Sequence, residues 1–211
     1  MSRSGGPISQ RDEQSLRKAT AERARSIRDA FLHDVRIHGL LGVSFVRVAE
    51  AIGVSLPAIG YYYSSHDMII DDIVVRHRKE VEANLDAVRE NNFYGTEAAA
   101  ELRALAVAYA EVARMNAMAH RLFVFHDRLF ASPESVRSRA ARDAIAAGMG
   151  ELVARHVGVR TGDRRIAAWG HVVVATLDSL VEAALAMPID MAMAIGVDIA
   201  VVLALKRAAM G

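Results

Sequence analysis

Residues 44–69 read SFVRVAEAIGVSLPAIGYYYSSHDMI, and this stretch decides the fold. Ser44 stands where a helix cap belongs, ahead of Phe45, Val48, Ala49 and Ile52, whose spacing of three and four gives a short helix one apolar side. Gly53 supplies the tight turn that ends it. Ser55 then opens a second short helix: its hydroxyl accepts an orphan N–H, and Pro57 has no N–H to leave unpaired. Ala58 and Ile59 close the inner side, while Leu56, Pro57, Gly60 and Tyr61 face outward. The pair is a helix-turn-helix, and a rigid outward face on its second helix has the size to enter a major groove.

The surroundings of this motif carry groups that a phosphate backbone would need. Ser44 and Arg47 open the first short helix and Ser55 the second. Ser64, Ser65 and His66 stand at the start of a long helix, whose free N–H groups attract anions. From residue 1 to 47 nine Arg or Lys face five acids, a local excess of four in a chain whose formal net charge is +1. One end of a nearly neutral chain is therefore basic, as a polyanion partner requires.

Working outward, residues 1–20 are polar and read as a flexible basic tail. Residues 21–38 form a first helix with Ala24, Ile27, Ala30, Phe31 and Val35 on one side and Gly39 as its stop. A domain of 21–65 is then followed by a larger unit over 66–211. Its expected helices are 65–90, 97–117, 119–130, 133–157, 163–187 and 189–209. The fold class is all-α: an N-terminal three-helix helix-turn-helix unit joined by a long helix to a larger helical bundle.

Composition removes other classes. With 211 residues, 53% hydrophobic and 24% charged, the chain is too apolar to be disordered. Cys is absent, so disulfides, zinc-thiolate sites and cysteine nucleophiles are excluded. Asp178, Glu182, Asp190 and Asp198 interrupt the apolar C-terminal third before the roughly 20 apolar residues of a membrane span are reached. No signal-peptide core precedes residue 25, so a cytoplasmic location is expected. An all-helical enzyme lacks support, since no phosphate-cradling loop, nucleophile elbow or paired-carboxylate motif occurs.

In the last two helices Ile166, Trp169, Val173, Leu177 and Leu180 make one stripe, yet Val172, Val174, Val181 and Leu185 lie off it. Val197, Val201 and Leu203 repeat the pattern in the final segment. A helix apolar on most faces needs a second cover, and a homodimer through these two helices is the expected solution. Met115, Met118, Phe123, Phe125, His126, Met149 and Trp169 are the candidate lining of an adaptable apolar pocket, although such residues at helical spacing also build ordinary cores. Asp178 and Glu182, four apart on an apolar helix, are the candidate polar groups of that pocket or of the interface. His120, His126, His156 and His171 lack the spacing that puts two imidazoles on one helix face, so neither a metal nor a cofactor is expected.

The segment from Ala24 to Ile69 resembles the tetracycline-repressor-like (TetR) family of bacterial regulators. The likeness is carried by Ala30-Phe31, Gly39, Val48-Ala49-Glu50-Ala51-Ile52-Gly53-Val54-Ser55 and the helix entry Ser64-Ser65-His66-Asp67-Met68-Ile69. It implies a ligand-responsive repressor that dimerises through its last two helices. It also implies a palindromic double-stranded DNA operator, read by Leu56 and Pro57 near bases and by Tyr61 and Tyr62 near bases or phosphates. The chain departs from the family pattern at three points: Gly60 replaces a usual phosphate-contacting Tyr, His66 a usual Lys, and Tyr63 a usual Phe. These departures leave open an alternative, a helical dimeric adaptor on the same fold with weakened or lost DNA reading.

Overall fold

A computed structural model describes residues 10–90, 98–159 and 165–184. These form α1 (Gln10–His38), α2 (Phe45–Ala51), α3 (Leu56–Tyr62), α4 (His66–Glu90), α5 (Ala98–Met115), α6 (Ala117–Leu129), α7 (Pro133–Val157) and α8 (Arg165–Ala184). No strand occurs among the described residues. None of these helices is long and apolar enough to cross a membrane. The chain divides into two compact units, with the division between Ile69 and Ile70, a few residues into α4.

The first unit closes over Ile27, Phe31 and Val35 of α1, Val48 and Ala49 of α2, Ile59 of α3 and Tyr63 just beyond it, all buried. The turn residues act as their chemistry requires. Ser44 Oγ accepts from the Val46 N–H at 3.3 Å, and Ser55 Oγ from the Ala58 N–H at 3.4 Å. Gly39 and Gly53 stop α1 and α2 with φ of +75° and +66°. The first helix starts at Gln10, inside the segment expected to be a loose tail. In its added turns every described side chain is exposed, as are all from Gln14 to Arg23. Charged helix formers hold it, including a Lys18–Glu22 pair at 4.0 Å. A helix without an apolar stripe leaves no mark in hydrophobic spacing.

In the second unit Val81 and Leu85 of α4, Leu105 and Tyr109 of α5, Met149 and Val153 of α7, and Trp169, Val173 and Leu177 of α8 form one core. Helix α7 keeps its expected limits: Ser132 and Ser135 make a reciprocal capping box before it, Pro133 starts it, and Gly158 ends it at φ +75°. It crosses α8 so closely that a Cβ on Gly170 would collide with the Ala146 carbonyl and one on Gly150 with the Ile166 carbonyl. The off-stripe valines of α8 have a cover inside the chain. Val174 and Val181 are 3% and 1% exposed, Val181 clustering with Ala110 and Ala113 of α5, and Val172 is half-buried. Leu185 and the expected final helix lie outside the described residues, so the dimer expectation rests on that segment.

Candidate nucleic-acid interface and effector cleft

In the helix-turn-helix unit the eight expected DNA-contacting residues fall into two groups. Leu56 and Tyr61 are 47% and 84% exposed, Pro57 is exposed, and Tyr62 is half-buried with its ring 5.3 Å from that of Tyr61. These four make the outer side of α3. The other four have partners within the unit. Ser44 and Ser55 spend their hydroxyls as caps.

Arg47 grips Asp34 side-on through one edge of its guanidinium, Nε to Oδ1 at 2.8 Å and Nη2 to Oδ2 at 2.9 Å, and Nη2 also donates to the Gly42 carbonyl. Asp34 further accepts from the Ser44 backbone N–H at 2.9 Å. The Arg47 hydrogen bonds, aided by that N–H, outweigh the cost of burial and hold the Asp34 carboxyl below its ordinary range. This knot fixes the end of α1 to the start of α2. Arg47, expected at the phosphate backbone, is thus paired with Asp34 in this structure while its side chain stays 41% exposed.

In the second unit a cleft of about 110 Å³ opens between α6 and α8, lined by His120, Arg121, Val124, Phe125, Asp178, Ser179 and Glu182. Of the residues expected in a pocket, Asp178 reaches it, as do Phe125 and Glu182. Met149 and Trp169 belong to the core, Phe123 and His126 are fully buried, Met118 is half-buried, and Met115 is 73% exposed. His126 instead places Nε2 2.8 Å from Asp71 Oδ1, which also accepts from Ser132 Oγ at 3.1 Å.

Beneath the cleft lies a buried polar chain. Asp178 Oδ1 accepts from Tyr109 Oη at 2.8 Å and lies 3.1 Å from His120 Nε2; Oδ2 accepts from Arg142 Nη2 at 3.0 Å. Burial raises the Asp178 carboxyl, but the hydrogen bonds from His120 and Tyr109 and the Arg142 charge overcome it, so the group sits below its ordinary range. An ionised Asp178 requires a proton on His120 Nε2. His120 Nδ1 in turn lies 3.0 Å from His77 Nε2. Burial, reinforced by the neighbouring His120, depresses His77 to about 3, so it is neutral near pH 7. His77 Nδ1 and Arg142 Nε are buried with no hydrogen-bond partner among the described residues. At the cleft mouth Arg121 and Glu182 face each other fork to fork, Nε to Oε1 at 2.6 Å.

Sequence reasoning did not find His77, Tyr109, Arg121 or Arg142. One signal was present: His77 continues the inward stripe of Ile70, Ile73 and Val74 towards Val81 in α4, an imidazole in a core register. The partners of Asp178 come from three other helices, which periodicity within one helix cannot reveal.

No protein-family profile matches the chain, and no curated protein sequence does. Solved structures do. A transcriptional regulator from Rhodococcus sp. Rha1 is 20% identical and superposes with a TM-score of 0.64 over 88% of this chain and 97% of its own. The TetR-family regulator PfmR of Thermus thermophilus is 18% identical, with a TM-score of 0.68 over 86% and 97%. A tetR-family regulatory protein from Rhodococcus RHA1 has the same identity, 18%, and the same TM-score, 0.68, over 87% and 95%. The chain has the TetR fold.

Within the TetR fold, the three departures from the family's pattern acquire physical settings. His66 is wedged between rings, 4.5 Å from Phe45 edge to face and 5.8 Å from Phe31. The phenol of Tyr63 accepts from Arg28 Nη1 at 3.0 Å, a buried bond that a Phe cannot make. Gly60 is exposed, and a Cβ built on it meets nothing within 4 Å.

Proposed function

We propose that the protein is a ligand-responsive, DNA-binding transcriptional regulator, a repressor and not an enzyme, which holds a palindromic double-stranded operator as a homodimer through its last two helices. The observation that carries this reading is the outer side of α3. On a helix-turn-helix whose caps and Asp34–Arg47 knot make it rigid, Leu56, Pro57 and Tyr61 stand uncovered. The TetR fold supports it, and so does the basic excess of residues 1–47. Two reading heads on a twofold axis meet half-sites about 34 Å apart.

The effector is a small molecule entering the α6–α8 cleft, with an apolar body against Val124 and Phe125 and a polar group towards Arg121, Ser179 and Glu182. At about 110 Å³ the cleft is smaller than the roughly 300–1,000 Å³ of common ligand pockets. A ligand that fits only an opened cleft binds one conformation better than the other, which is the requirement for release from DNA.

Mobility shift of the full-length protein on DNA flanking its own gene tests the reading. A discrete complex that survives excess unrelated duplex is expected. Uniform weak binding to every sequence, abolished by modest salt, overturns it.

A second reading, a dimeric adaptor that keeps the fold without reading DNA, is favoured by Arg47 and His66 having partners inside the unit and by Gly60 in place of a phosphate-contacting Tyr. Under that reading wild type binds no duplex, and Gly60→Tyr or His66→Lys creates binding.

A further inference from the structure

Gly60 occupies the interior of α3, where glycine is a poor helix former. The protein's own structure does not require it. Positive φ values among the described glycines fall at Gly39, Gly53 and Gly158 and not here. A Cβ at position 60 meets no atom within 4 Å, and the position is exposed. The room left by the missing side chain therefore lies outside the protein.

Around that room α3 itself supplies no charge. Helix α3, LPAIGYY, holds no charged and no amide side chain. Paired hydrogen bonds that single out guanine need Arg or Lys, and those for adenine need Asn or Gln; α3 has none of them. The nearby cation on α2, Arg47, is committed to Asp34. What α3 offers a base edge is hydrocarbon at Leu56 and Pro57 and, at Tyr61, a ring with a single hydroxyl, which cannot make the paired bonds that single out a purine. The matching apolar feature of a major groove is the C5 methyl of thymine.

We propose, resting on the DNA-reading function above, that α3 selects its operator by seating thymine methyl groups against Leu56 and Pro57, with Gly60 letting the helix backbone approach the groove floor. Sequence-independent attraction comes from the basic N-terminal region, and discrimination comes from methyl contact.

The test uses the full-length protein to enrich binders from a random-sequence duplex library. The enriched duplex is then remade with deoxyuridine for every thymidine, which keeps all hydrogen-bonding groups and removes only the methyls. The uracil duplex should bind about fourfold more weakly for each methyl in contact. That ratio should hold as salt is raised, because it is not electrostatic. Leu56→Ala should shrink the ratio. Gly60→Ala should raise the thermal stability of the protein yet weaken its hold on the thymine duplex, a combination that a purely structural role does not give. Equal affinity for the two duplexes, with sequence-specific binding intact, overturns methyl reading and leaves the regulator function standing. Enrichment of no duplex overturns both.

Discussion

His77 and His120 meet nitrogen to nitrogen at 3.0 Å inside the second unit, each 2% exposed, with His120 in turn on the Asp178 carboxylate. Two imidazoles so placed cannot both gain a proton cheaply, and burial depresses His77 to about 3. Its depressed value has a direct consequence for stability.

Between the unfolded pKa of 6.5 and the folded value of about 3, the unfolded chain binds a proton at His77 that the native state refuses. Stability from this group is complete above pH 6.5 and falls as pH drops, at up to about 1.4 kcal/mol per pH unit. From pH 7 to 5 the loss is about 2 kcal/mol. Asp178, also lowered, loses its contribution only below the carboxylate range near 4. Urea titrations followed by circular dichroism at the two pH values measure the drop, and His77→Gln should remove most of it.

Asp178→Ala should be among the most damaging single changes in the second unit. It strips the anion from Arg142 and leaves the Tyr109 hydroxyl and His120 Nε2 without their acceptor. Breaking a buried pair in this way costs about 3–5 kcal/mol. The double change Asp178→Leu with Arg142→Met should recover part of that loss in the same denaturation assay, because it removes both charges.

Asp34→Ala should loosen the helix-turn-helix unit by about 1–3 kcal/mol, since it unpairs the Ser44 N–H along with the guanidinium. It should also free Arg47 to meet phosphate. The salt dependence of duplex binding is then expected to steepen by about one unit in log–log slope. Thermal melting and binding at several salt concentrations separate the two effects.

The α7–α8 crossing predicts opposite results for two glycines on one helix pair. Gly170→Ala forces a methyl into the Ala146 carbonyl and should destabilise by about 1–3 kcal/mol or more. Gly148→Ala meets only the far end of the Arg89 side chain at 3.1 Å, which can swing away, so helix propensity dominates and Tm should rise. Differential scanning calorimetry distinguishes the two.

Much of the fold was legible because its punctuation is chemical. Ser44, Ser55, Ser132 with Pro133, and the glycines 39, 53 and 158 mark helix ends wherever the surrounding helix packs. The N-terminal half of α1 was not legible, because its described side chains from Gln14 to Arg23 are all exposed and give no buried apolar stripe. The outer side of α3 could be read from spacing alone, whereas the engagement of Arg47 and His66 depends on Asp34, Phe31 and Phe45, which no local pattern ties to them. The cleft was least legible. Met149 and Trp169 have the composition of a pocket and the surroundings of a core, and only the fold decides between these.

Gly60 supports no interior atom, and Leu56 and Tyr61 stand in solvent beside it. Under the proposed function, target choice and foldability are consequently separable at these outward positions. Under that function, exchanging the codons for these outward residues alone changes the target, while Ile59 on the inner side keeps the scaffold as it is.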